Sequence, residues 1–198
     1  MDNKNLNIIV VGIGNGVQNA IDYLFLNNKS PNIKFALINS DKDILEQAKT
    51  KNKLLIHGKE ETFYGLGCGG DTSTGKEYAE FCIEKIEQLF TDTNVAILIS
   101  CFGGGCGTGT TPVIAKLLKT KGIRTIATIT KPFIFEGELR KQRAEAEIEK
   151  LNKLVEKIII LNNQDLLKTL EHKTTLNEIF NYSNKKITEI FEKEINNL

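Results

Sequence analysis

The sequence predicts a doubly wound α/β fold, a mostly parallel sheet with helices on both faces and a long core helix at the carboxyl end. Three observations lead there. Apolar runs rich in β-branched residues recur at 7–11, 33–38, 54–56, 95–100, 123–130 and 157–161. Stretches with apolar residues at helical spacing lie between them, at 17–28, 41–49, 75–90, 110–121 and 137–154. Strand and helix alternating in this way make parallel strands joined by crossover helices, a Rossmann-like sheet covered on both sides. Finally, glycine-rich segments follow three of the strands, and ligands of open α/β sheets sit at the carboxyl ends of strands.

Composition narrows the function classes. With 198 residues, 40% hydrophobic and 26% charged, the chain is long enough to bury a full core as one domain. A net charge of +1, with Arg only at 124, 140 and 143 and no basic cluster, argues against nucleic-acid binding. No apolar stretch approaches the ~20 residues of a membrane span, and the polar start MDNKNLN has no signal-peptide core. Cys68, Cys82, Cys101 and Cys106 lack CxxC spacing, and His57 and His172 do not complete a zinc set. Reduced thiols in a cytoplasmic protein are the expectation, with Cys106 alone placed to touch a ligand.

The first strand runs into Gly12-Ile13-Gly14-Asn15-Gly16-Val17-Gln18-Asn19. A dinucleotide fingerprint needs glycine where Val17 stands, and an acidic residue where the second strand instead ends in Asn39. An NAD site is therefore disfavoured, while a mononucleotide phosphate is open. The segment Gly65-Leu66-Gly67-Cys68-Gly69-Gly70-Asp71-Thr72-Ser73-Thr74-Gly75-Lys76 follows the third strand. Its last seven residues imitate a P-loop, but Glu77 replaces the required hydroxyl and no apolar strand leads directly in. Thr72 or Ser73 is expected to cap the next helix, and the earlier glycines suit a phosphate-facing loop.

The fourth strand is followed by FGGGCGTGTT, residues 102–111. Without Cβ atoms, its N–H groups can converge on an anion. The helix carrying Thr110, Pro112, Val113, Ile114, Leu117 and Leu118 aims its positive end at the same spot. After the fifth strand, Thr130 to Arg140 reads TKPFIFEGELR, with Glu136 and Arg140 four apart at a helix start. That pair is either a surface ion pair or a grip on ribose and phosphate. The final helix, 174–198, carries Leu176, Ile179, Phe180, Ile187, Ile190, Phe191, Ile195 and Leu198 on one stripe.

Together these segments resemble the FtsZ/tubulin family of GTP-driven filament proteins. GGGCGTG (103–109) is similar to the tubulin signature GGGTGTG, and GLGCGGDTSTG to the family's GLGAGxNPxxG. TKPFIFEGELR is very close to the TKPFxFEGxxR of FtsZ; FALINSDKDIL resembles FxxxNTDxxxL, and LNNQDLL resembles IPNxxLL. The motifs run in order from residue 8 to about 187.

The resemblance implies a GTPase-domain fold, with 1–173 as the nucleotide-binding α/β domain and 174–198 as the helix completing it. It places Gly103, Gly104, Gly105, Cys106, Gly107 and Thr108 around the phosphates, with Gly16 and Asn19 beside the α- and β-phosphates. Gly69, Gly70 and Asp71 would lie by the γ-phosphate. Asn39 and Asp41 would line the nucleotide edge, Asp41 near Mg²⁺. Glu136 and Arg140 would hold the ribose with Asn163 nearby, Phe180 would stack on guanine and Asn184 would read its edge. The implied ligands are GTP or GDP with Mg²⁺, and no protein metal-ligand set is expected.

The chain departs from the pattern in places. Asn15, Val17 and Gln18 take the places of glycines in the first loop, Cys106 replaces a threonine, and Asn184 replaces an aspartate. The family's catalytic carboxylate loop and second domain follow the long helix and lie outside these 198 residues. No catalytic residue is therefore assigned here, and GTP hydrolysis is expected to need a neighbouring subunit. The expectation is a guanine-nucleotide-binding domain of an FtsZ-like cell-division GTPase, contacting itself or full-length FtsZ head to tail. The alternative is a non-hydrolysing FtsZ-like protein that caps or regulates filaments.

Overall fold

The computed structural model describes residues 6–59, 64–169 and 174–198. Six strands form one parallel sheet: β1 (Ile8–Ile13), β2 (Ile33–Asn39), β3 (Asn52–Leu55), β4 (Val95–Cys101), β5 (Arg124–Lys131) and β6 (Lys157–Asn162). Their order is β3-β2-β1-β4-β5-β6. The order reverses direction at β1 and β4, which pair in parallel with Val11 opposite Leu98. Such a switch point opens a crevice at the carboxyl ends of the two strands.

The helices are α1 (Gln18–Asn27), α2 (Lys42–Gln47), α3 (Thr72–Phe81), α4 (Ile83–Leu89), α5 (Gly105–Thr120), α6 (Glu138–Asn152), α7 (Asn163–Leu166) and α8 (Leu176–Asn196). Residues alternate across the sheet, so β1 feeds two cores. Ile9, Val11 and Ile13 join Ile86, Ile114 and Leu151 under α3 to α6. Ile8 and Val10 join Ile21, Leu45, Ile187 and Phe191 under α1, α2 and α8. Burial on both faces is why β1 and β4 are apolar throughout rather than alternating.

Three differences from the expected elements have local causes. The helix expected at 75–90 is two, broken at Cys82, whose ψ of 16° leaves the helical range. It starts at Thr72 because the Asp71 carboxylate, rather than Thr72 or Ser73, accepts from Ser73 N and caps it. The helix expected from 110 starts at Gly105, so most of the glycine-rich run is its first turns and not a loop. Glycine is unfavourable in a helix, but here the missing side chains let two helices touch. A Cβ on Gly109 would strike Thr72 O and Lys76 N of α3, and one on Gly75 would strike Gly105 O. Thr110 Oγ1 donates to Gly75 O at 3.0 Å across the same contact.

The long helix α8 begins in a capping box between Thr175 and Glu178. Phe191 meets Phe35 of β2 at 6.0 Å between ring centroids. Near its other end, Glu194 is buried and accepts from Lys157 Nζ of β6 at 2.6 and 2.8 Å. No helix among the described residues is long and apolar enough to cross a membrane. His172, expected to be outside any zinc set, lies outside the described residues.

Candidate functional site

A cavity of about 450 Å³ opens at the carboxyl ends of β1, β2, β4 and β5. That is the volume class of sites that take small ligands. Its floor is the start of α5. Gly104, Gly105, Cys106 and Gly107 line it, and no side chain caps the helix at Gly104. The uncapped first turn presents main-chain N–H groups and the positive helix end to whatever occupies the cavity.

The glycines of this run divide into two sorts. A Cβ on Gly104 would meet no atom within 4 Å, so the space over it belongs to the cavity. A Cβ on Gly105 would lie 2.7 Å from Asp71 O and Cys68 Cβ, and one on Gly107 2.6 Å from Ser100 Oγ. Gly105 and Gly107 are thus required by packing. Gly103, at φ 109°, and Thr108 stand behind the wall: Gly103 N donates to Thr108 Oγ1 at 2.8 Å, which fixes the turn into α5.

The first loop contributes Gly14, Asn15 and Gly16. Val17 is fully buried in the apolar core, and Gln18 does not reach the cavity. Only Asn15, of the three residues in glycine places, presents a side chain there. Asn39 Nδ2 donates to Asn15 Oδ1 at 2.8 Å, while Asn39 Oδ1 accepts from Ser40 N and Asp41 N. Asn39 is completely buried, so it positions the cavity edge from behind. Asp41 is on the wall. One of its oxygens caps α2 through Ile44 N and the other takes a long 3.5 Å bond from Asn15 Nδ2. Asn19 is placed elsewhere, in a neighbouring groove between α1 and α8.

The loop before α3 brings Gly69 and Gly70 to the opposite wall, with Gly70 O accepting from Arg143 Nη1 at 2.7 Å. Asp71 does not line the cavity; its carboxylate is committed to Ser73 and Thr74. Those bonds, Ser73's hydroxyl first, hold its pKa down at about 2. Lys76, the lysine of the P-loop imitation, pairs with Glu80 at 3.8 Å instead.

At the far end, Glu136 and Arg140 both line the cavity. Glu136 accepts from Phe133 N at 2.9 Å and from Arg140 Nη1 at 2.7 Å. The two form the ion pair that the sequence allows, and the pair borders the cavity. Asn163 is buried and accepts from Ser183 Oγ at 2.8 Å. Phe180, Ser183 and Asn184 present one face of α8 to the cavity. Phe180 is half exposed and backed edge-on by Phe133 at 5.5 Å.

Sequence reasoning missed Ser40, Cys68, Cys101 and Ser183, all on the wall. Ser183 could have been found from its spacing to Phe180 on a helix. Cys68 and Cys101 could not, because only the tertiary fold brings them to one wall. Cys68 Sγ donates to Ser40 Oγ at 3.1 Å and is hydrogen-bonded to Cys106. Cys106 is drawn down to about 7, chiefly by that bond from Cys68, with Ser40 assisting and burial opposing. The same bond, then burial, pushes Cys68 above the ordinary thiol range. Desolvation raises Cys101 to about 11.

Comparison with known proteins gives one consistent picture. Residues 7–171 match the family model described as "Tubulin/FtsZ family, GTPase domain". The chain is 36% identical over 182 residues to the cell division protein FtsZ of Buchnera aphidicola subsp. Baizongia pistaciae, covering 92% of this chain and 46% of that protein. It is 35% identical over 181 residues to the FtsZ of Coxiella burnetii, covering 91% and 46%. An empty FtsZ dimer structure from M. jannaschii superposes with a TM-score of 0.89 at 30% identity, over 96% of this chain and 55% of that one. The chain spans about half the length of the curated relatives it matches.

Proposed function

Because the chain belongs to the tubulin/FtsZ family as a GTPase domain, we propose that its cavity binds a guanine nucleotide, GTP or GDP. The observation that carries this reading is the cavity's polarity. One end is the uncapped start of α5 with open space over Gly104, and the other is the half-exposed ring of Phe180 beside Asn184. An anion fits the first end and a planar base the second.

In this reading the N–H groups of Gly104 to Gly107 bind phosphate oxygens, with Gly16, Gly69 and Gly70 bordering them. Arg140 keeps donors free after its bond to Glu136 and reaches ribose or phosphate; Glu136 and Asn163 stand at the sugar. Asn184 offers a carbonyl to the guanine N–H edge. Gly103, Asn39, Asp71 and Thr108 act through the backbone they hold. Asp41, with one oxygen only weakly engaged, is the residue that would hold a Mg²⁺ at this edge. The metal would neutralise phosphate charge there. Hydrolysis would draw its catalytic carboxylates from an adjoining subunit packed head to tail, as the family resemblance implies. The proposed setting is a cytoplasmic filament of cell division.

Calorimetric titration with GTP, GDP, ATP and NAD in the presence of Mg²⁺ tests the reading. GTP and GDP are expected to bind while ATP and NAD do not. Failure of both guanine nucleotides to bind the folded protein would overturn it.

A further inference from the structure

The loop that precedes α3 is held at its roots and presents free donors at its tip. Lys42 N donates to Gly65 O at 2.9 Å and Gly67 N to Ser40 O at 3.0 Å, while Asp71 N closes back on Cys68 O at 2.8 Å. Cys68 and Asp71 also rest on α5, where a Cβ on Gly105 would lie 2.7 Å from Cys68 Cβ and from Asp71 O. Between these two residues stand Gly69 and Gly70, at φ +54° and +76°, both lining the cavity. Among the described residues neither glycine N–H has an acceptor. Successive main-chain N–H groups left free in a tight turn suit an anion.

One side chain holds this tip. Arg143 Nη1 of α6 donates to Gly70 O at 2.7 Å, across 73 positions of sequence. The helix that carries it is seated on the turn into α5, since a Cβ on Gly103 would lie 3.1 Å from Arg140 Cβ and 3.3 Å from Arg140 O. Arg143 therefore ties the loop tip to the base that carries the α5 start. Its charge has no counterion in the fold. Arg140, Lys141 and Lys150 of α6 each pair with a carboxylate, whereas Arg143 forms no ion pair among the described residues. The neighbouring Asp71 carboxylate is turned to Ser73 and Thr74.

We propose that Arg143 is a positioning residue that makes the site prefer a nucleoside triphosphate to the diphosphate. The preference rests on the guanine-nucleotide reading above; the tie to Gly70 does not. With the base at Phe180 and the first phosphates over the α5 start, a third phosphate extends the chain to the wall made by Gly69 and Gly70. A guanidinium bonded to Gly70 O keeps that carbonyl occupied. The added anion then meets free N–H groups and an unpaired positive charge instead of a bare carbonyl oxygen. A lysine at 143 would keep the charge and one donor but lose the planar fork.

The test titrates the parent, Arg143→Ala and Arg143→Lys with GTP and with GDP in the presence of Mg²⁺ by calorimetry, and follows amide hydrogen exchange without ligand. Arg143→Ala is expected to weaken GTP about tenfold, the usual scale for one charged hydrogen bond, and GDP less than about threefold. Arg143→Lys should recover part of the GTP loss. The Asp71 amide shares a peptide unit with Gly70 O and donates to Cys68 O, so its exchange should quicken at least about fivefold in Arg143→Ala. Unchanged Asp71 exchange overturns the tie. Equal losses for GTP and GDP, or none for either, overturn the preference. If the parent binds neither nucleotide while Asp71 exchange still quickens, the tie stands and the nucleotide reading falls with the preference.

Discussion

Gly104→Ala and Gly109→Ala change the same residue type five positions apart on one motif, and the structure assigns them opposite outcomes. At Gly104 the backbone is extended, with φ −89° and ψ 177°, so alanine fits without strain. Its methyl would meet no protein atom within 4 Å. Losing glycine's unfolded-state freedom stabilises by roughly 0.4–1 kcal/mol, and placing alanine at an N-cap costs about 0.5 kcal/mol. The net change lies within about 0.5 kcal/mol, a Tm shift under about 2 °C for this size. The methyl, however, occupies the space proposed for phosphate, and GTP affinity should drop at least tenfold, about 1.4 kcal/mol. At Gly109 the added methyl strikes Thr72 O and Lys76 N, backbone atoms of α3 that no rotamer change can clear. The helices must separate, at a cost of about 3 kcal/mol and a Tm lower by roughly 6–12 °C. Thermal melts with and without GTP, plus calorimetry, read both. A Gly104→Ala protein that binds GTP like the parent refutes the phosphate cradle; an unchanged Tm for Gly109→Ala refutes the packing argument.

Three further outcomes follow from the same geometry. Phe180→Ala should weaken GTP and GDP by about 1–3 kcal/mol, the usual loss when an aromatic platform under a base is removed, with calorimetry as the readout and little change in Tm because the ring is half exposed. The buried Asp22 carboxylate accepts from Lys49 N, Thr50 N and Thr50 Oγ1 at 2.9, 2.9 and 2.8 Å, so Asp22→Ala should leave three donors unpaired and cost about 2–4 kcal/mol in urea unfolding. Asp71 has its pKa depressed to about 2 by its bonds to Ser73 and Thr74; its stabilisation is present above pH ~4 and lost as pH falls toward 2. Asp71→Ala should cost about 1 kcal/mol at neutral pH and flatten that stretch of the Tm-against-pH curve.

The strand order and the site's place at the β1–β4 switch were legible because they depend on periodicity and on where glycines follow strands. Which glycine serves a ligand was not. Gly104 and Gly109 look alike in the sequence, and only the approach of α3 separates them. The resemblance likewise points Asn39, Asp71, Gly103 and Thr108 at the ligand, and the structure sets them behind the cavity lining with polar groups bonded to neighbouring backbone or side chains. A motif preserves whatever keeps a loop in shape, and it carries no mark separating the residue that touches from the one that holds. That Cys68 shares a wall with Cys101 and Cys106 lay beyond sequence for a different reason. It joins the loop before α3, a strand end and a helix start, and no local pattern encodes that distance.

The first loop shows how the chain manages without the run of glycines that the resemblance leads one to expect. Val17 turns into the core with Ile21 and Leu24, so its side chain adds packing instead of crowding the cavity. Asn15 stays at the surface of the wall, but its amide is taken up on one side by Asn39 and on the other by Asp41. A glycine loop leaves its path to be set by the ligand and pays in conformational entropy on binding. Here buried Asn39 fixes Asn15 through its amide and the Asp41 backbone through its carbonyl, before any ligand arrives. The consequence is a rim on the Asn39 side set in part by side chains, facing glycines at 67 and 69 across the cavity whose positive φ suits glycine alone. Asn39→Ala, which removes both of these bonds, should therefore weaken Mg²⁺-dependent GTP binding in calorimetry more than Asn15→Ala does, and equal losses would refute the ordering.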